Sequence, residues 1–169
     1  MKSALSRDVD AILRERARIL ALRDESELQA TTEELATFGI GGHFIGVPMV
    51  RVTRAAALRH LTEIPGGPPF LVGVTAVEGQ LVTLLDLAVL LGLQRHGVSD
   101  VTGSLVVSWG TREIGLAAEQ LFGIEDVPVR DIAPLPGATG PLTRVARLPE
   151  RELLLLDVET LFDDPRLGA

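Results

Sequence analysis

Two carboxylates stand in surroundings that ionised groups seldom enter. Asp86 interrupts VTLLDLAVLLGL, Val82 to Leu93, and Asp157 interrupts LLLLDVETLF, Leu153 to Phe162. A carboxylate pair sharing one site is suited to general acid–base chemistry. A carboxylate at the start of a helix instead accepts hydrogen bonds from free backbone N–H groups and complements the positive end of the helix dipole. Neither aspartate has a nearby His, Ser or basic partner with a site around it, so the spacing favours caps of two short helices, Leu87 to Leu91 and Val158 to Phe162. His43, His60 and His96 share no metal-ligand spacing, and His43 falls in a turn. Gly39-Ile40-Gly41-Gly42 resembles a phosphate loop in composition only, because a strand follows it where anion binding needs a helix start. No GxSxG, Walker or HExxH pattern occurs. The chain has no cysteine, which excludes disulfides and thiol chemistry and fits a reducing cytoplasm. No catalytic, cofactor-binding or metal-binding residue is assigned, and an enzyme is not expected.

The elements around these residues come in two kinds. Residues 1–32 contain SRDVDAILRERARILALRDESELQA, without Gly or Pro, in which Val9, Ile12, Leu13, Ile19 and Leu20 recur at spacings of three, four and seven. This predicts an amphipathic helix from about Ser6 to about Glu27, with Ser6 as its cap. It either packs on its own domain or docks on a partner. From Leu35 onward, short runs of Val, Ile, Leu and Thr are punctuated by Gly and Pro, a pattern of strands and tight turns. GIGGH, WGTRE and the Glu78-Gly79 pair each sit between apolar runs and read as hairpin tips. The pattern predicts a barrel or a sandwich.

The chain also repeats itself. Gly41-Gly42-His43-Phe44-Ile45-Gly46 matches Gly110-Thr111-Arg112-Glu113-Ile114-Gly115. Asp86 follows Gly46 by 40 residues, and Asp157 follows Gly115 by 42. Ile64-Pro65 and Leu135-Pro136 lie between, and both halves end in Leu-Leu-Asp and an apolar segment. This reads as a duplicated unit. Each copy alone has a thin core, so the two should share a large interface. The expected organisation is a helical extension over 1–32, a first barrel over 33–97 and a second over 98–169.

Bulk properties narrow the partners. At 169 residues with 46% hydrophobic and 23% charged residues, the composition is globular. A net charge of −7 argues against nonspecific nucleic-acid binding, which needs a basic face, and 4% aromatics with no Tyr argue against stacking platforms for bases or sugars. The longest uncharged apolar run, Phe70 to Val77, is of strand length, so no membrane insertion is expected. The N-terminus lacks a hydrophobic signal core, and no secretion signal is predicted.

With these features in place, the chain resembles the CheW family of chemotaxis coupling proteins. The resemblance runs through FIGVPMVRV (Phe44 to Val52), IPGGPPF (Ile64 to Phe70), GVTAVEG (Gly73 to Gly79) and Leu85-Asp86-Leu87. It continues through Arg112 to Ile124 and Leu148 to Leu156, and so covers roughly Leu35 to Phe162. It implies an all-β fold of two SH3-like five-stranded β-barrels packed together, no catalytic activity and no cofactor. It also implies a cytoplasmic signalling adaptor that bridges the cytoplasmic tip of a methyl-accepting chemoreceptor to the regulatory domain of a CheA-type histidine kinase, within membrane receptor arrays. The alternative is a ligand-binding or structural double β-barrel unrelated to chemotaxis.

The resemblance also implies where partners bind. A receptor groove would be lined by Val52 and Ile124, residues that could equally belong to the barrel core. A third family position, usually a bulky aliphatic, falls on Gly103, which would flatten or widen the groove unless Leu105 takes the role. Two charges are exchanged relative to the family. Where members usually carry Arg before Gly79 this chain has Glu78, and where they carry an acid on the strand leaving Val52 it has Arg54. Either these are two independent exposed charges, or Arg54 and Glu78 face each other as a reversed ion pair. A reversed pair at a partner-facing edge would select a matched partner.

Overall fold

In the structure, a computed structural model, residues 31–94 and 100–168 are described. The expected helix from Ser6 to Glu27, His96 and the 97/98 division lie outside them. Each predicted hairpin tip is a turn. Gly41 and Gly42 join β1 (Thr32–Ile40) to β2 (His43–Pro48), and Gly110-Thr111 joins β6 (Gly103–Trp109) to β7 (Arg112–Ala118). Glu78 and Gly79 join β4 (Leu71–Val77) to β5 (Gln80–Leu85) with φ of 50° and 80°. Two positive φ values in a two-residue loop match the right-handed twist of the strands, and an acid followed by Gly tolerates them.

The strands form two sheets. One has the order β3-β6-β7-β5-β4, where β3 is Val52–Ala57. The other has the order β8-β1-β2-β11-β10-β9, with β8 at Gln120–Pro128, β9 at Ile132–Pro134, β10 at Leu142–Arg147 and β11 at Glu152–Leu156. Its sixth strand is three residues long, and the other sheet has at the matching place a single bridge, Thr62 to Val74. These are the two barrels, but they do not follow the expected division into 33–97 and 98–169. The β1–β2 hairpin of the first repeat is built into the sheet of the second, and the β6–β7 hairpin of the second into the sheet of the first. The repeats therefore exchange their leading hairpins.

The exchange explains the matched glycines. β2 runs parallel to β11 with Gly46 opposite Leu155, and β7 runs parallel to β5 with Gly115 opposite Leu84. A Cβ at Gly46 would lie 2.8 Å from Leu155 Cδ2, and one at Gly115 would lie 2.9 Å from Leu84 Cδ1. Each glycine lets a leucine of the other repeat lie flat across the strand.

Most of the core lies between the sheets. Phe38, Ile45 and Val47 of one sheet meet Leu105, Val107 and Leu116 of the other, closed by residues of the two short helices. The barrel interiors are smaller clusters, Leu35 with Val127, Ala146, Leu153 and Leu155 in one, and Val77, Val82 and Val106 in the other. Thin barrels with a thick shared interface follow from the duplication, since neither small unit buries enough apolar area alone.

Both aspartates cap helices, as expected. Asp86 Oδ1 accepts from Val89 N at 3.0 Å at the start of α1 (Leu87–Leu90), and Asp157 Oδ1 accepts from Thr160 N at 3.1 Å at the start of α2 (Val158–Phe162). Asp86 is buried, whereas Asp157 is half-exposed beside Arg51 and Arg144 in a polar depression. Replacing either by Ala is expected to cost about 1 kcal/mol of unfolding free energy, the usual worth of an N-cap. Urea unfolding checks this, and an unchanged midpoint would show that the backbone N–H groups need no carboxylate.

A candidate partner-binding groove between the barrels

The groove forms where the barrels meet along β1 and β8 on one side and β3 and β6 on the other. Counted back from the two hairpin tips, Ala36 corresponds to Leu105 and Phe38 to Val107. Their cross-strand partners correspond as well, since Ala36 lies opposite Ile124 and Leu105 opposite Ala55, while Phe38 lies opposite Leu121 and Val107 opposite Val52. Each strand pair carries a register shift here, with Phe122 of β8 left unpaired opposite Thr37 and Phe38, and Thr53 of β3 left unpaired between Val52 and Arg54. A bulge bends and twists its strand away from the neighbouring sheet. Two bulges related by the repeat open a cleft of about 230 Å³ on the junction.

Four of the expected site residues line this cleft, namely Val52, Arg54, Leu105 and Ile124. Leu105 is 3% exposed and forms the floor, while Ile124 is 61% exposed and forms a wall. Val52 is half-buried, so it belongs to the groove and to the edge of the shared core at once. Gly103 is buried, and a Cβ there would lie 2.9 Å from Leu121 Cδ1. Leu121, which the sequence reading did not single out, thus fills the volume that a larger residue at 103 would take, and it lines the cleft. The expected flattening is offset by this exchange of volume. The signal available in the sequence was the repeat itself, because Leu121 is the partner of Val52 under the duplication.

The expected ion pair between Arg54 and Glu78 does not form. Arg54 Nη2 donates to Glu113 Oε2 at 2.5 Å, and Nη1 donates to Gln80 Oε1. Its side chain is only 12% exposed. Val52 lies opposite Val107 of the shared core, whereas beyond the register shift Arg54 lies opposite Val106 of the barrel interior, so Arg54 turns into the barrel and reaches β5 and β7 across its mouth. Glu78 sits exposed on the hairpin tip, two residues before Gln80. The bulge at Thr53, which a charge comparison by position ignores, set the direction of Arg54. A double-mutant cycle with Arg54→Ala and Glu113→Ala is expected to give a coupling of about 0.5–1 kcal/mol. The same cycle with Glu78→Ala should give a coupling near zero; a sizeable one would restore the Arg54–Glu78 pair.

The two described histidines have ordinary surroundings. His43 Nε2 lies 2.6 Å from the Gln94 carbonyl, and the His60 carbonyl accepts from Thr75 Oγ1 at 2.6 Å. Among the described residues no helix is long and apolar enough to cross a membrane.

Comparison with known proteins agrees with this geometry. A CheW chemotaxis protein from Klebsiella aerogenes is 27% identical over 141 residues, covering 80% of this chain and 85% of that protein. The protein FrzA of Myxococcus xanthus is 31% identical over 104 residues, 62% of this chain and 65% of its own. The crystal structure of the scaffolding protein TtCheW from Thermoanaerobacter tengcongensis shares the fold with a TM-score of 0.68 at 18% identity, covering 80% of this chain and 96% of that one. The family model for the CheW-like domain matches residues 34–166, a span that takes in both barrels and the groove, and the chain therefore belongs to the CheW-like family of scaffold and adaptor proteins.

Proposed function

We propose that the protein is a cytoplasmic, non-enzymatic adaptor that couples a chemoreceptor to a CheA-type histidine kinase, in a chemotaxis pathway or one built on the same parts. The observation that carries this reading is the groove. It is apolar, lies on the junction of the two barrels, and presents Ile124 to solvent beside the half-buried Val52. An amphipathic helix from a receptor tip fits such a cleft by laying its apolar face into it. A small-molecule site is favoured less, because about 230 Å³ falls below the roughly 300 Å³ at which ligand pockets begin.

Glu78 is assigned to the kinase-facing edge. It stands exposed on a hairpin tip, where the family resemblance places an Arg. Arg54, Gly103 and Leu105 shape the groove and barrel mouth from behind. Retention of the full chain on an immobilised CheA regulatory domain and on a receptor-tip helical hairpin tests the proposal. A ligand-binding module ignores both, and that result would sink it. Glu78→Arg is expected to strengthen binding to a regulatory domain from a typical array about tenfold at low salt, and less at high salt. An equal or lower affinity would remove Glu78 from that edge.

A further inference from the structure

The groove does not stop at Ile124. Ala36 pairs with Ile124, and two residues further along the same face Glu34 pairs with Asp126. Both carboxylates are exposed and directly opposite each other, an arrangement that like charges disfavour. Their neighbours on the other face are compensated. Glu33 binds Arg144 through two hydrogen bonds of 2.7 and 2.8 Å, and Glu125 binds Arg151. Among the described residues no cation pairs with Glu34 or Asp126. The cleft is therefore an apolar slot that ends in an uncompensated acidic lip, shaped for a helix with a basic residue inside its apolar stripe.

Residues 1–30 carry that pattern. Helical spacing puts Arg16 three and four residues from Leu13 and Ile12, and three and four from Ile19 and Leu20, so it lies within the apolar stripe. The tether permits the contact. Four residues before Thr32 would span ~13 Å if extended, a helix over the predicted stretch from Arg16 to Glu27 would span ~17 Å, and Glu34 lies ~10 Å along β1 from Thr31, lengths that close a triangle. We infer that the N-terminal segment docks in cis into the inter-barrel groove, with Ile12, Leu13 and Ile19 against Ile124 and Val52 and with Arg16 on the Glu34–Asp126 lip. It thereby masks the site that the proposed receptor helix would use. This inference rests on reading the groove as a helix-docking site.

The chain has no cysteine, so a single spin label is clean. Ala17→Cys places a nitroxide on the flank of the segment in the full chain. Amides of Thr37, Gly123 and Ile124 are expected to lose most of their intensity, while those of Ala138 and Thr139, in the turn after β9, keep theirs. Arg16→Glu should restore the groove signals, and adding Glu34→Lys with Asp126→Lys should quench them again. Groove amides of full intensity in the labelled chain would overturn the docking. So would quenching that appears only when labelled and isotope-enriched chains are mixed, because the occupant is then a second copy. Quenching that ignores Arg16→Glu would overturn the contact with the acidic lip. A receptor-tip hairpin added to the labelled chain distinguishes the two readings. Groove signals that it restores support both, whereas quenching that it leaves unchanged keeps the docked segment and counts against receptor binding there.

Discussion

Phe38→Ala is expected to lower the unfolding free energy by about 3–5 kcal/mol, the cost of removing a fully buried aromatic ring from a core that relaxes only partly. Phe38 is 0% exposed and sits in the core between the sheets, on β1 of the six-stranded barrel. Trp109, the only tryptophan, lies on β6 of the other barrel and packs against the same core. Trp109 fluorescence and far-ultraviolet circular dichroism should therefore shift to lower urea together, in one transition. The exchanged hairpins require this, since neither sheet keeps its central strands if the other repeat unfolds. A Trp109 transition that stays at its original midpoint while the dichroism splits into two steps would mean that the barrels are independent units joined only by contact.

The second large effect concerns binding. Ile124→Asp is expected to weaken binding to a receptor-tip hairpin about thirtyfold or more, as truncation of a central apolar anchor does. Stability should change by no more than about 0.5 kcal/mol, because Ile124 is 61% exposed. Val50 provides the control. It is 86% exposed, more than Ile124, and lies on the turn after β2, outside the residues that line the groove. If groove shape matters, Val50→Asp keeps the affinity. If exposed hydrophobicity is all that counts, both substitutions weaken binding alike, and the groove loses its role. Titration of the purified chain with the hairpin, read by calorimetry, gives both affinities.

Much of the architecture was already written in the chain. Turn chemistry is local, so GIGGH, WGTRE and Glu78-Gly79 announced hairpins wherever they would fold. Capping is local too, which is why Asp86 and Asp157 could be placed at helix starts from an apolar run and the residue that breaks it. The duplication was legible because each copy kept a glycine at nearly the same distance, 40 and 42 residues, from its own capping aspartate. The family resemblance named Val52 and Ile124 as walls of one groove, with Gly103 or else Leu105 as the third position, and in the structure Val52, Leu105 and Ile124 line one cleft. What only the tertiary structure decided was long-range. Pairing of β2 with β11 and of β7 with β5 joins strands more than 30 residues apart, and no local propensity records which distant strand a hairpin will meet. That pairing redistributed the strands between the barrels and gave Gly46 and Gly115 their purpose. It also placed Leu121 in the space over Gly103. Arg54 turned to Glu113 and Gln80 in place of Glu78 because the bulge between Val52 and Arg54, rather than the charges themselves, fixes which acceptors the guanidinium can reach.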